Sequence, residues 1–372
     1  MPGAKRPLTV VQLLPALESG GVERSTLEIA AALVARGDRA LVVSAGGRLV
    51  PRLEALGATH LALDIGRKSP ATLRHVPALR RLFAHERADI VHARSRLPAW
   101  LARFALRGGG AHFVTTVHGL NSPSRYSAVM ASGERVVCVS ETVRAHVLRH
   151  YPDTDPSRLR VIPRGVDPAA FPRAPYPDRA ARDLAAAMHP RLGGEGPLLL
   201  LPGRGTRLKG HGDALALLGS LRARGMDARL WLAGAREAGR AAYIAGLERE
   251  AAERGVADAI AITAPTADIA AAYAASDLVL QLSRRPEAFG RTVLEALCVD
   301  RPVLGWDHGG VGEQLHASYP AGAVPAFDPD ALLHAALAAL ARATPPAVTM
   351  ADTLRAMQEA TLSLYDELAG RD

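Results

Sequence analysis

Leu278-Val279-Leu280-Gln281-Leu282-Ser283-Arg284-Arg285-Pro286-Glu287-Ala288-Phe289-Gly290-Arg291-Thr292-Val293-Leu294-Glu295 is the stretch on which the reading of the fold turns. Residues 278–282 form an apolar run of strand length, Pro286 and Gly290 interrupt the chain, and a helical pattern follows. A strand that passes through a short loop into a helix is the repeating step of an α/β sheet. The loop then lies at the carboxyl end of a strand, where ligands of such sheets bind. Glu287 stands in the loop, Gly290 near the helix start and Glu295 about a turn inside, so both carboxylates are expected to look into one cleft.

The same step recurs along the chain. Apolar runs at 8–14, 40–44, 90–92, 113–117, 135–139 and 161–163 alternate with helical patterns such as 22–36 and 50–56. After Asp167 the pattern loosens through Pro168, Pro172, Pro175 and Pro177, a natural boundary. A second series of buried strands, at 198–201, 228–233, 259–263, 278–282 and 302–304, is separated by Ala-rich helices. The expected class is therefore α/β, with two Rossmann-like doubly wound domains, 1–167 and 168–350, facing across a cleft. A last helical stretch, about 351–372, is placed to pack back on the first domain.

Composition narrows the partners. The chain of 372 residues is 48% hydrophobic and 22% charged, which is globular rather than disordered. A formal charge of +8 favours phosphates, nucleic acid or an anionic membrane surface. The basic residues are scattered, mostly as Arg, without a Lys/Arg block, and the 4% aromatic content argues against a base-stacking platform. Nucleic acid is therefore not an expected partner. Cys138 and Cys298 lie in apolar runs without metal-ligand spacing, which points to a reducing cytoplasm. Lys5 and Arg6 before an apolar run imitate a signal peptide, but Gln12 interrupts the run and Glu18-Ser19-Gly20-Gly21 is no cleavage site. No apolar stretch approaches the ~20 residues of a spanning helix. The basic and apolar mixture at 67–87, including Arg74, Leu79, Arg80, Arg81, Leu82 and Phe83, permits peripheral docking at the cytoplasmic face of an anionic inner membrane. An ordinary amphipathic helix on its sheet is the simpler reading.

Three further loops fall where a strand meets a helix. In Glu18-Ser19-Gly20-Gly21-Val22-Glu23-Arg24 two glycines let the backbone approach a phosphate at a helix N-terminus, although an ordinary strand-to-helix turn accounts for the segment equally well. In Pro202-Gly203-Arg204-Gly205-Thr206-Arg207-Leu208-Lys209-Gly210, Arg204 offers a planar fork and Lys209 a point charge suited to a diphosphate, with a solvated basic turn as the plainer alternative. The loop is neither a P-loop nor a dinucleotide fingerprint. His308-Gly309-Gly310-Val311-Gly312-Glu313 is expected to be the next loop along the same sheet edge. Asp153-Thr154-Asp155 and Asp328-Pro329-Asp330 have the form that metal-dependent transferases use, but both sit in Pro-bearing connections and read as turns. No metal site and no cofactor are expected.

Together these motifs resemble retaining glycosyltransferases of family 4, with the GT-B fold. The family's Glu-x7-Glu pattern matches Glu287 and Glu295, its Arg-x4-Lys pattern matches Arg204 and Lys209, and its Gly-Gly loop matches Gly20-Gly21. Val161-Ile162-Pro163-Arg164-Gly165-Val166-Asp167 resembles the family's interdomain junction, with Arg164 where Asn is common. The resemblance implies that Glu295 binds the nucleotide ribose and Glu287 the donor sugar's hydroxyls. It implies that Arg204 and Lys209 hold the diphosphate, helped by backbone amides around Phe289, Gly290, Thr292 and Val293. His118, in Thr115-Thr116-Val117-His118-Gly119, matches the family's first-domain histidine near the reacting centre. The implied catalytic set is Glu287, His118, Arg204 and Lys209. The donor is a nucleotide sugar and the acceptor a glycan or glycolipid, as in bacterial lipopolysaccharide and cell-envelope enzymes. Arg94 and Arg96 are candidate contacts for an anionic acceptor, or else charges on an exposed face. An epimerase or phosphorylase of the same fold, and a catalytically silent nucleotide-sugar binder, remain as alternatives.

Overall fold

The computed structural model describes residues 6–18, 20–266, 268–342 and 353–371. Lys5, Ser19 and the passage 343–352, including the start expected for the last helical stretch, lie outside the described residues. The chain divides into two compact units, one of Met1–Gly165 with Leu354–Asp372 and the other of Val166–Thr353.

The first unit is built on β1 (Thr9–Leu13), β2 (Arg39–Ser44), β3 (Thr59–Ala62), β4 (Ile90–Ala93), β5 (His112–Val117), β6 (Arg135–Cys138) and β7 (Leu159–Val161). All pair in parallel, in the order β3-β2-β1-β4-β5-β6-β7. Helices cover both faces, so the inner strands are buried at nearly every position. On one face Leu27, Ile29 and Leu33 of the helix Gly21–Arg36 meet Met357, Leu364 and Tyr365 of the helix Leu354–Leu368. On the other, Leu79 and Phe83 of Val76–His85 pack with Leu101 and Ala102 of Arg96–Ala105. The basic stretch at 67–87 is thus seated on its sheet by an apolar stripe, with Leu73 left 48% exposed. Arg36 ties the C-terminal helix down through Asp366 at 2.7 Å, and Arg135 does so through Glu367.

The second unit repeats the plan with β8 (Leu198–Leu200), β9 (Arg229–Leu232), β10 (Ile260–Ile262), β11 (Leu278–Gln281), β12 (Val303–Trp306) and β13 (Ala323–Val324). They form a parallel sheet in the order β10-β9-β8-β11-β12-β13. Each sheet reverses its strand order once, between β1 and β4 in the first unit and between β8 and β11 in the second. Loops leaving the carboxyl ends of such a strand pair diverge to opposite faces and open a crevice, the usual ligand site of a doubly wound sheet.

Two edge strands escape the sequence reading. The side chains of β3 are exposed or half-buried throughout, so no apolar run announces it, and β13 is only two residues long. The expected run at 161–163 is displaced too, since the strand there is Leu159–Val161.

Candidate active site

The crevice between β8 and β11 brings together the second unit's two most informative loops. Gly210 ends the loop after β8 in a left-handed conformation, φ +75°, and a Cβ there would stand 2.0 Å from the carbonyl oxygen of Leu282. Only glycine lets this backbone lie against the end of β11. The contact puts Lys209, in the 3₁₀ turn Arg207–Lys209, beside Glu287, and its Nζ donates to Glu287 Oε1 at 2.6 Å.

Glu287 is held from the strand side as well. The Ser283 hydroxyl lies 2.5 Å from Glu287 Oε1 and 2.9 Å from Gln281 Oε1, and its single proton serves one of them at a time. Gln281 Nε2 stands 3.4 Å from Glu287 Oε2. Burial pushes the Glu287 carboxyl up, but the Lys209 charge and the hydrogen bonds from Lys209, Ser283 and Gln281 outweigh it and leave the pKa below the ordinary value. The result is an ionised, preoriented acceptor with 26% of its side chain still exposed. Gln281 and Ser283 were not singled out from sequence. Their only signal is two polar residues on either side of Leu282, where an otherwise apolar strand ends.

Arg204, in the same loop as Lys209, is exposed. Among the described residues its guanidinium takes no hydrogen-bond or ion-pair partner. Glu295, one turn into the helix Arg291–Cys298, is 8% exposed. Its Oε2 accepts from the Tyr273 hydroxyl at 3.0 Å and its Oε1 lies 3.9 Å from Arg291 Nε. Phe289 and Val293 point into the core at 5% and 0% exposure, so their side chains have no open face for a ligand. Val293 also spends its amide on the Gly290 carbonyl at 2.9 Å. The Thr292 amide, in the first helical turn, is of the kind left without an intrahelical acceptor.

The loop after β12 joins this group directly. The Gly310 amide donates to the Glu287 carbonyl at 2.8 Å, and His308 Nε2 lies 2.8 Å from the Ser283 carbonyl oxygen. A Cβ on Gly310 would fall 2.5 Å from Phe289 Cα, so glycine is demanded by contact between the two loops. The Asp-x-Asp pairs are used otherwise: Asp155 accepts from the Ser157 amide at 2.9 Å, and Asp328 accepts from the Asp330 and Ala331 amides at 3.0 and 2.9 Å. Both act as N-caps of the segments that follow.

In the first unit Gly20 caps the helix Gly21–Arg36. A Cβ on Gly21 would meet nothing within 4 Å, so internal packing gives no reason for glycine there. Arg164 donates through Nη1 to the Gly21 carbonyl at 2.7 Å, and through Nη2 to His118 Nδ1 at 2.5 Å. A guanidinium is a donor only, so this ring nitrogen carries a lone pair. Burial first, then the charges of Arg164 and Arg94 and the nearby His92, hold the His118 pKa well below its ordinary value. The imidazole is therefore neutral, with Nδ1 engaged and Nε2 covered by protein and without a partner. Arg94 is not on an exposed face: it is 4% exposed, with Nε donating to Gln12 Oε1 at 2.7 Å and Nη1 to Ser25 Oγ at 3.2 Å. Arg96 reaches Ser127 Oγ at 3.2 Å.

Comparison with known proteins places this architecture. Residues 19–170 match the family model described as Glycosyltransferase Family 4, and residues 189–350 match that of Glycosyl transferases group 1. A crystal structure of a glycosyltransferase from Rickettsia africae ESF-5 is 26% identical, with a TM-score of 0.87 over 98% of this chain and 100% of that one. Anabaena Alr3699/HepE in complex with UDP and glucose is 18% identical, with a TM-score of 0.78 over 96% and 99% of the two chains. WaaG, described as a glycosyltransferase involved in lipopolysaccharide biosynthesis, is 18% identical, with a TM-score of 0.65 over 98% and 95%. No curated protein matches the chain. The two matched halves and the paired parallel sheets identify the chain as a glycosyltransferase with the GT-B fold.

Proposed function

We propose that this glycosyltransferase is a retaining enzyme of family 4 that moves a sugar from a nucleoside-diphosphate donor to a glycan or lipid-linked acceptor in cell-envelope or lipopolysaccharide biosynthesis. The observation that carries the reading is the Lys209–Glu287 pair at the β8/β11 crevice, 2.6 Å apart, with the exposed guanidinium of Arg204 in the same loop. A diphosphate needs cations, and a sugar's hydroxyls need an ionised acceptor. Both are present in one crevice, and the pair is preoriented and only partly exposed. Glu295, steadied by Tyr273, is a second carboxylate suited to the paired hydroxyls of a ribose.

In the proposed reaction the bond from the sugar's anomeric carbon to the phosphate oxygen breaks, and the acceptor hydroxyl attacks from the same face. Its proton passes to the departing diphosphate. Arg204 and Lys209 stabilise the charge that develops there, and the Thr292 amide adds a donor at a helix N-terminus. With these cations in place the transfer is proposed to need no divalent metal. Glu287 stays ionised throughout and strengthens its hydrogen bonds to the sugar as the anomeric centre gains positive character.

Incubation with a panel of nucleotide sugars and glycolipid acceptors, followed by NMR of the product's anomeric proton, tests the reading. The expected result is acceptor-dependent transfer with the donor's anomeric configuration kept and full activity in EDTA. Inversion, or donor turnover that needs no acceptor, would overturn it.

A further inference from the structure

Phe327 stands in the turn between β13 and the helix Pro329–Leu340. The Asp328 amide donates to the Pro325 carbonyl at 3.2 Å, and Phe327, third of the four residues so closed, has φ +66°. That left-handed conformation is natural to glycine and strained for a bulky side chain. Burial does little to offset the strain, because the residue is 44% exposed. Glycine would serve the turn at least as well, so the reason for phenylalanine lies in what its ring touches.

The ring meets the ends of two neighbouring strands. It packs edge to face on Trp306, the last residue of β12, at 5.8 Å between centroids, and on His308 at 5.5 Å. Trp306 is 1% exposed and gives the ring a fixed floor. The Arg284 guanidinium, from the loop after β11, lies over the ring at 5.2 Å, within cation–π range.

Both polar partners lead to the Lys209–Glu287 pair. His308 Nε2 lies 2.8 Å from the Ser283 carbonyl oxygen, and since a carbonyl only accepts, the imidazole donates there. The hydroxyl of the same Ser283 lies 2.5 Å from Glu287 Oε1. Arg284 ties down the other loop: its amide donates to the carbonyl of Leu208 at 2.8 Å, next to Lys209, and its Nη1 donates to Asp213 Oδ1 at 3.2 Å. One ring therefore braces the loop after β11 and, through Arg284, the loop after β8, the two loops that carry Glu287 and Lys209.

We infer that Phe327 is a positioning residue of the transfer reaction, its strained and half-exposed ring aligning Glu287 and Lys209 through His308 and Arg284. The inference rests on the proposed function, in which Glu287 strengthens its hydrogen bonds as the anomeric centre gains positive character. A misaligned carboxylate then loses the transition state before it loses the bound donor, so kcat falls and the donor KM changes little.

Phe327→Gly keeps the turn and removes the ring. Its melting temperature should stay within about 2 °C of the parent or exceed it, while kcat for acceptor-dependent transfer falls about tenfold or more. Phe327→Leu keeps the strain without the aromatic contacts and should lose kcat to the same degree, whereas Phe327→Tyr should restore it. In a Glu287→Gln background Phe327→Gly should cost little further activity, since both changes act on one group. A melting temperature well below the parent's, an unimpaired Phe327→Leu, or additive losses in the double variant overturns the inference. Crystals of the full chain carrying Phe327→Gly read it apart from catalysis: the His308 ring should leave the Ser283 carbonyl, and Ser283 Oγ should part from Glu287. Unmoved side chains overturn the inference even where the parent transfers sugar, and a parent without transfer activity overturns the proposed function alone.

Discussion

The two sheets reverse their strand order at the same kind of place, yet the crevices they open are furnished in opposite ways. Between β8 and β11 a lysine meets a glutamate at 2.6 Å, both a quarter exposed, with a further cation exposed in the same loop. Between β1 and β4 an arginine is sunk to 4% exposure, and beyond β5 a second guanidinium donates to a neutral imidazole at 2.5 Å. The first arrangement is poised for exchange, since a ligand's phosphate and hydroxyls can take over from partners that water already reaches. The second is a buried polar network that grips Gln12, Ser25 and the Gly21 carbonyl. Topology supplies the crevice in each case; the polarity of a few side chains at the strand ends decides its use.

The sharpest way to break this contrast is to remove the exchangeable cations. Arg204→Ala combined with Lys209→Ala should lower kcat by about 10²-fold or more, the scale of losing preorganised charge stabilisation, while circular dichroism stays native. Glu287→Gln keeps shape and removes charge. It should lower kcat/KM by roughly 10- to 100-fold, as expected for a charge-assisted hydrogen bond worth about 1.5–3 kcal/mol. Steady-state kinetics with the donor varied reads both.

Stability measurements sharpen the same comparison. Gly310→Ala forces a Cβ to within 2.5 Å of Phe289 Cα, and should cost about 1–3 kcal/mol in urea unfolding. Gly21→Ala meets nothing within 4 Å and should stay within about 0.5 kcal/mol of the parent. If it nonetheless weakens donor binding by calorimetry, the open space at Gly21 belongs to the ligand.

Acid should act on both units. The buried His211, at the start of the helix after Lys209, has its pKa lowered from 6.5 to about 4, chiefly by burial. A base with a depressed pKa contributes stability that is complete above its unfolded value and lost as pH falls from 6.5 towards 4. His118 acts with the same sign. Glu287, an acid with a lowered pKa, loses its contribution only below the ordinary carboxyl range. Unfolding free energy should therefore decline between pH 7 and pH 4, and His118→Ala should flatten the slope. A parent whose stability is level over that window would contradict the neutral imidazoles.

Much of this was legible because buried parallel strands are apolar along their length. The inner strands announce themselves, whereas β3, with no buried position, and β13, two residues long, do not. The Glu287 and Lys209 motifs were visible one at a time. Their contact, 78 positions apart in sequence, depends on β8 lying beside β11, which follows from strand order and not from local pattern. Tyr273 gave no sign as the partner of Glu295, since its hydroxyl sits in an Ala-rich helix. Arg94 read equally as an acceptor contact and as a surface charge, because a buried arginine has no sequence mark apart from its partners, here Gln12 and Ser25.

Recognition of a nucleoside diphosphate by the β8/β11 crevice, through Arg204 and Lys209, is the claim on which the proposed function stands. Calorimetric titration of UDP against uridine, on the parent and on the Arg204→Ala, Lys209→Ala double variant, tests it directly. The parent should bind the diphosphate at least about ten times more tightly than the nucleoside, roughly one charge-assisted contact's worth, and the double variant should lose this preference. Equal affinity for both ligands in the parent, or an undiminished preference in the variant, would contradict it.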